Sequence, residues 1–465
     1  MEPGGRPRWH LLLEGRARPL ALGQVVLPAG DSRAPVFFRA PCDKPSPMTR
    51  LFLPLALAFT SAAFAAAPIS WKFQLGAGLA PAGFTAVSAQ AAYSDAAGYG
   101  FEPGPAGGPV YFSAKVPEGN YRVTVTLGRA DAAAVTTVKA EVRRLMLEQV
   151  ATAPGQFVRR TFAVNVRTPR LSDGSEPRLD SHEVDAATHQ AVSRDWDDKL
   201  TLEFSGENPA PAAVEIEPAE HLTTLFITGD STVTDQPGNS VTSWGQMVTR
   251  WFKPEVAVAN HAESGETLKG FRRERRWAKV LDSIRPGDYV VIEFGTNDSK
   301  DRGPQNIYPN QDFSETYAPA ATTYQELLRQ FVKDAQGRGA TPIIVSPSAR
   351  RGETAPPTSL EPWADAAMAV ARELGVAAIN LNAMGVELNR ALGPGAAKQF
   401  NDRTHHVAYG GYLQAKCIVL GIRRAGLPLA AAIADDFSFD PAHPAPLPAD
   451  FRLPPDPGLR RAAAR

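Results

Sequence analysis

A seryl hydroxyl, an imidazole and a carboxylate are the ingredients of acyl transfer, and this chain offers a candidate for each. Ser231 stands in Thr228-Gly229-Asp230-Ser231-Thr232, directly behind the apolar run Leu225-Phe226-Ile227. A hydrophobic strand that stops at Gly-Asp-Ser presents its hydroxyl at the carboxyl edge of a sheet, where open α/β sheets hold their ligands. A serine hydroxyl is a weak nucleophile until a base takes its proton. His405 is the candidate base, and Asp402 in Asp402-Arg403-Thr404-His405-His406 is the candidate carboxylate for the far ring nitrogen. His406 competes for the role of base, but the three-residue spacing from Asp402 favours His405. The oxyanion needs donors placed in advance. They are expected from the N–H of Ser231, the N–H of Gly265 and the side-chain amide of Asn297. Gly265 belongs to Asn260-His261-Ala262-Glu263-Ser264-Gly265-Glu266-Thr267, and Asn297 to Phe294-Gly295-Thr296-Asn297-Asp298.

These four segments, in this order, resemble the signature blocks of the SGNH (GDSL) hydrolase superfamily over about residues 222–425. The details are most similar to the rhamnogalacturonan acetylesterase branch: Gly229-Asp230-Ser231-Thr232, Trp244-Gly245-Gln246, Asn260 with Ala262 and Gly265, then Asp402-Arg403-Thr404-His405. The resemblance implies a flavodoxin-like α/β/α sandwich with Ser231, Gly265, Asn297 and His405 as the named residues and Asp402 completing a triad. It also implies a reaction, removal of O-acetyl groups from a plant cell-wall polysaccharide, rhamnogalacturonan (pectin) foremost, through an acyl-enzyme and without a cofactor. Two positions depart from the family pattern. Glu266-Thr267 stand where Arg-Ser is usual, and Thr296 stands where His is usual; both are expected to line the pocket and alter the sugar accepted. Alternatives are an acetylxylan esterase, a lipase or thioesterase of the same superfamily, and a non-catalytic polysaccharide-binding protein.

The candidate substrate contacts are His261, Thr296, Arg350 and Arg351, the two arginines following the apolar run Ile343-Ile344-Val345-Ser346. For His261 a packing role is the stronger reading. Lys269, Arg272, Arg273, Arg275, Arg276 and Lys279 form a basic run that reads as a solvated helix face, with attraction of acidic sugars as the sharper alternative. No histidine or carboxylate pairing has metal-ligand spacing, so no metal is expected.

Strand–helix alternation after Pro218 predicts the elements that must hold these groups. Strands are expected at 224–228, 255–259, 288–294, 341–346 and 376–381. Helical faces are expected on Val241, Trp244, Val248, Trp251 and Phe252, and on Tyr324, Leu327, Leu328, Phe331 and Ala335, with a last helix from Tyr409 to Arg424. The fold class is therefore α/β: a doubly wound, three-layer domain on a five-stranded parallel sheet. Before it, residues 68–217 alternate apolar and polar, as in Tyr121-Arg122-Val123-Thr124-Val125-Thr126-Leu127, between Pro-Gly-Asn turns. They predict an N-terminal β-sandwich, galactose-binding-like in type, with a long loop over 168–199. Tyr93, Tyr99, Phe101 and Trp196 are its candidate sugar-stacking rings, although aromatics in sandwiches more often serve the core.

At the N-terminus, Met48-Thr49-Arg50 followed by Leu51–Phe59 and small residues to Ala67 reads as a secretory signal peptide over 48–67. Residues 1–47 are then a leader, from a misassigned start or without fixed structure. Without 1–67 the chain carries 41 basic against 45 acidic residues and a single cysteine, Cys417. That balance gives no field for nucleic acid. The signal segment implies an exported protein, secreted or periplasmic, with no stable membrane insertion once it is cleaved, and the resemblance implies an acetylated polysaccharide as partner. The esterase domain is expected over 218–430, with a Pro-rich tail over 431–465.

Overall fold

The computed structural model describes residues 70–76, 80–103, 109–179, 195–237, 240–301 and 316–444. The expected leader and signal segments lie outside them.

Among the described residues, period-2 patterning of the N-terminal part builds ten strands. In chain order they are β1 (Trp71–Leu75), β2 (Thr85–Val87), β3 (Tyr99–Glu102), β4 (Val110–Lys115), β5 (Gly119–Leu127), β6 (Ala134–Ala140), β7 (Arg144–Thr152), β8 (Val158–Val166), β9 (Lys199–Glu207) and β10 (Pro211–Pro218). They form two five-stranded sheets, β2-β1-β10-β5-β8 and β3-β4-β9-β6-β7. Pairing is antiparallel except between β1 and β2. Strand β5 shows why they pack: Tyr121, Val123, Val125 and Leu127 are buried, while Arg122, Thr124 and Thr126 alternate with them at partial exposure. One core takes residues from both sheets, among them Phe73, Val123, Phe162 and Ile216 from one and Phe112, Val138, Leu202 and Phe204 from the other. Tyr99 and Phe101 pack edge-on or tilted into that core against Phe73 and Phe112.

Four residues after β10, the chain enters β11 (Thr223–Thr228) and the rhythm changes. The following strands are β12 (Val256–Asn260), β13 (Tyr289–Glu293), β14 (Thr341–Val345) and β15 (Ala377–Ile379), ordered β12-β11-β13-β14-β15. Every pairing is parallel. Their bounds fall within two residues of those expected. Strands β12 and β13 are buried at every position, as strands covered on both faces must be.

The covering helices are α1 (Trp244–Val248), α2 (Leu268–Arg273), α3 (Arg276–Ser283), α4 (Thr323–Gly337), α5 (Glu361–Leu374), α6 (Leu381–Leu392) and α7 (Ala408–Arg424). Strand side chains divide by parity. Leu225, Ile227 and Val291 join Trp244, Met247, Leu388 and Ile418 on one face, while Phe226, Val290 and Ile292 join Phe271, Trp277, Phe331 and Val370 on the other. This is the three-layer arrangement expected. Two boundaries differ. The helix expected from Val241 to Phe252 is five residues of α1 followed by one 3₁₀ turn, Thr249–Trp251. The folded body also runs past 430: Ile433 and Phe437 are buried, and the N–H groups of Lys253 and Ala434 tie strand-like to Ala432 and Trp251. Apolar residues at 429, 433 and 437 outweigh the surrounding prolines there.

Candidate active site

The order β12-β11-β13 puts β11 at the point where the sheet's winding reverses, the place such sheets leave a crevice. Ser231 follows β11 by three residues. Gly229 makes the sharp exit possible, because a Cβ there would lie 2.6 Å from the backbone oxygen of Glu293 and 2.5 Å from Val233. Asp230 then fixes the turn. Its Oδ1 accepts the N–H and hydroxyl of Thr232, at 2.9 Å each, and its carbonyl accepts the N–H groups of Val233 and Thr234. Beneath the turn, Glu293 accepts Trp244 Nε1–H at 2.5 Å. Burial, then the charge of Asp230, pushes the Glu293 carboxyl well above its ordinary range.

His405 arrives from the loop before α7. The Oγ–H of Ser231 donates to its Nε2 at 2.8 Å, and its Nδ1–H donates to Asp402 Oδ2 at 2.7 Å. Asp402 Oδ1 also accepts the backbone N–H groups of Thr404 and His405, both at 2.7 Å. Burial raises the Asp402 carboxyl, but hydrogen bonds from the His405 backbone and ring and from Thr404 outweigh it and hold the group below its ordinary value. The loop is pinned on both sides: Asn401 N–H donates to His405 O, Thr242 N–H to His406 O, and Arg351 N–H to Arg403 O. His406 is no alternative base. It is 2% exposed and stacks on Phe400 with ring centroids 4.5 Å apart. Burial, followed by the charge of His405, lowers it to about 3.

The three candidate oxyanion donors are also brought to this edge. Among the described residues, neither the N–H of Ser231 nor that of Gly265 has an acceptor. Gly265 holds φ +86°, a left-handed conformation that glycine adopts freely. Asn297 spends its Oδ1 on Lys300 Nζ at 2.6 Å and one Nδ2 hydrogen on Glu266 O at 3.0 Å, which fixes the amide and leaves its second hydrogen. Asp298 joins the two loops by accepting from the N–H groups of Leu268 (2.9 Å) and Gly295 (3.0 Å). The candidate nucleophile, base, orienting carboxylate and unspent donors thus share one sheet edge, the set that acyl transfer needs.

Other expected contacts lie elsewhere. His261 is 1% exposed and packs between Trp196 (5.3 Å) and Phe226 (5.6 Å), so it faces the core and not a substrate. Trp196 is likewise no stacking platform: it is buried against the guanidinium of Arg167, 4.5 Å from its ring. Glu266 turns toward Arg276 at 3.8 Å, and Thr267 caps α2 through Gly270 N–H, so this departure from the family pattern serves packing. Thr296 is 4% exposed. The basic run divides: Arg272, Arg273 and Arg275 are exposed, as a solvated face requires, whereas Arg276 and Lys279 turn inward. Arg276 is fully buried on Glu263, His261 O and Leu179 O, Lys279 holds Glu118 and Arg170 O, and Arg275 pairs with Asp173. Arg350 and Arg351 do stand beside the triad loop, Arg351 through its bond to Arg403. Residues the sequence reading passed over are Asp230, Asp298 and Gln236, whose Nε2 donates to Ser231 O at 2.7 Å. Asp230 carried a signal, since an Asp two residues before a Thr favours a side-chain-capped turn.

The model of the GDSL-like lipase/acylhydrolase family matches residues 227–410. The rhamnogalacturonan acetylesterase RhgT of Bacillus subtilis is 32% identical over 228 residues, covering 44% of this chain and 91% of that protein. The uncharacterized esterase YxiM of Bacillus subtilis is 26% identical over 361 residues, 71% of this chain and 84% of that protein, a length that takes in part of the sandwich. Its crystal structure is similar with a TM-score of 0.41 at 21% identity, covering 77% of this chain and 99% of that one. The chain belongs to the GDSL-like lipase/acylhydrolase family and is a carboxylic-ester hydrolase.

Proposed function

We propose that the protein is an exported acetylesterase that removes O-acetyl groups from a plant cell-wall polysaccharide, rhamnogalacturonan being the first candidate. One observation carries the mechanism: the unbroken chain Ser231 Oγ, His405 Nε2, His405 Nδ1, Asp402 Oδ2, with steps of 2.8 and 2.7 Å, beside two N–H groups without acceptors among the described residues. Ser231 Oγ attacks the acetyl carbonyl carbon while its proton passes to His405 Nε2. The oxyanion is received by the N–H groups of Ser231 and Gly265 and the second Nδ2 hydrogen of Asn297. Collapse breaks the ester bond, and His405 returns the proton to the departing sugar hydroxyl. Water, deprotonated by the same imidazole, then attacks the acetyl carbon; the bond to Ser231 Oγ breaks, His405 returns the proton to Oγ, and acetate leaves.

The substrate class rests on the identity to RhgT, which extends over 91% of that acetylesterase. Export rests on the basic-then-apolar segment 48–67. The two five-stranded sheets before β11 are compatible with a galactose-binding-like module. The test is acetate release from acetylated rhamnogalacturonan, xylan and chitooligosaccharides, together with p-nitrophenyl esters of increasing chain length. We expect the highest kcat/KM on rhamnogalacturonan and a decline beyond acetyl. A rise with acyl length, or preference for another polymer, would overturn the substrate assignment.

A further inference from the structure

We propose that the turn between β6 and β7 of the sandwich is a positioning element of the esterase site, with Arg143 and Arg144 holding the Ser231 loop and the His405 loop in register. The inference rests on Ser231 being the nucleophile, and the experiment below separates the two ideas.

The turn, Glu141–Arg143, and Arg144 at the start of β7 reach the chain segment following Ser231, where Arg167 also approaches Asp235 at 3.8 Å. Glu141 and Arg143 both adopt left-handed backbone, φ 53° and 63°, which is costly for residues with a Cβ and persists only where surroundings enforce it. What the conformation achieves is the aim of two adjacent guanidinium groups. Arg143 Nη1 donates to Gln236 O at 3.0 Å and its Nη2 to Thr242 Oγ1 at 3.2 Å. Arg144 Nε donates to Asp235 Oδ2 at 2.7 Å and its Nη2 to Asp195 Oδ1 at 2.5 Å. The turn's own backbone takes part, since Val142 O accepts Gln246 Nε2 at 3.0 Å and Leu145 O accepts Thr249 Oγ1 at 2.7 Å.

Each of these contacts continues into the reacting groups. Gln236, held by Arg143, donates its side-chain Nε2 to Ser231 O at 2.7 Å. Thr242, also held by Arg143, donates its N–H to the carbonyl of His406, next to His405, at 2.8 Å. Asp235, held by Arg144, accepts Asn260 Nδ2 at 2.8 Å, and Asn260 in turn bonds Val233 O and the N–H of Ala262 at the head of the Gly265 loop. Arg143 and Arg144 are therefore one residue away from the segments carrying nucleophile and base, and two from the segment carrying the Gly265 donor. Arg144 and Asp235 are 2% and 1% exposed at their side chains, so water cannot replace either partner. A sandwich serving only to carry the enzyme to its polymer would need none of these bonds. Misplacing a catalytic group by about 1 Å costs on the order of 10²-fold in rate.

The experiment is pre-steady-state hydrolysis of p-nitrophenyl acetate, a substrate too small to reach a distant sugar site, by the full chain and its Arg143→Ala, Arg143→Lys, Gln236→Ala and Ser231→Ala variants. Positioning predicts that Arg143→Ala keeps its burst amplitude per folded molecule but acylates roughly 10- to 100-fold more slowly. KM should stay within about threefold, and Arg143→Lys should recover part of the rate. Should Arg143→Ala fail to fold, Gln236→Ala cuts the same link from the esterase side and carries the same expectation. A reduced burst at the parental rate constant would mean the turn merely stabilises the fold, and would overturn the proposal. So would parental rates in both alanine variants. If Ser231→Ala still turns over the ester, the fault lies with the nucleophile assignment and not with the turn.

Discussion

Replacing Asp402 by Asn asks whether the carboxylate sets the tautomer of His405. Asp402 Oδ1 accepts two backbone N–H groups at 2.7 Å, while Oδ2 lies 2.7 Å from His405 Nδ1. An asparagine keeps its one amide oxygen on the two backbone donors, which turns its NH₂ toward the ring. Two donors cannot face each other, so the imidazole proton moves to Nε2. The lone pair that receives the Ser231 proton is then gone. In the Ser-His-Asp template this change costs about 10⁴ in kcat. Here the Asp402 side chain is 49% exposed, so water competes for Nδ1 and part of the population regains the productive tautomer. We therefore expect a loss of roughly 10²–10³ in kcat, about 3–4 kcal/mol of barrier. The assay is steady-state turnover of p-nitrophenyl acetate beside thermal unfolding. The midpoint should move by only a few degrees, because the backbone bonds of the turn survive. A variant within fivefold of the parental kcat would refute this account of the base.

Two further outcomes follow from buried groups. His406 and His261 are both held neutral, His406 lowered from 6.5 to about 3 and His261 lowered well below 6.5, in each case first by burial. The unfolded chain therefore takes up these protons first as pH falls. Stability is complete above about pH 6.5 and declines toward pH 3, each histidine adding up to ~1.4 kcal/mol per pH unit. Melting curves between pH 7 and 4 should slope less steeply in His406→Gln, and equal slopes would contradict the assignment. Separately, Gly229→Ala forces a methyl to 2.6 Å from the Glu293 carbonyl, an overpacking worth about 1–3 kcal/mol. A lowered melting midpoint with reduced turnover is expected, and parental values in both would show that the loop can yield.

The features read correctly from sequence share a physical character. The strands β11 to β14 are runs of apolar residues ended by Gly, Asn or Ser, signals contained within a few positions. That Ser231, His405 and Asp402 meet was legible for the same reason, since each lies in a short block whose local geometry determines its direction. What misled were residues whose partners come from another layer. Arg276 and Lys279 looked like solvent-facing charges on an amphipathic helix, yet Glu118 and the 170–179 segment cover them. For His261 and Trp196 the packing role favoured from sequence holds, but the partner of each, the other's ring, lies in a different layer and could not be read locally. The ion network of Arg144, Arg167, Asp195 and Asp235 spans sequence separations of up to 91 residues and has no local signature.

The central claim is that Ser231 becomes the acetylated atom. Incubating the full chain with a fluorophosphonate ester probe and mapping the adduct by peptide mass spectrometry addresses it directly. The account predicts stoichiometric labelling on Ser231, abolished in Ser231→Ala and strongly slowed in His405→Ala, with the fold of both variants intact by circular dichroism. Labelling at another residue, or undiminished ester turnover by Ser231→Ala, would contradict it.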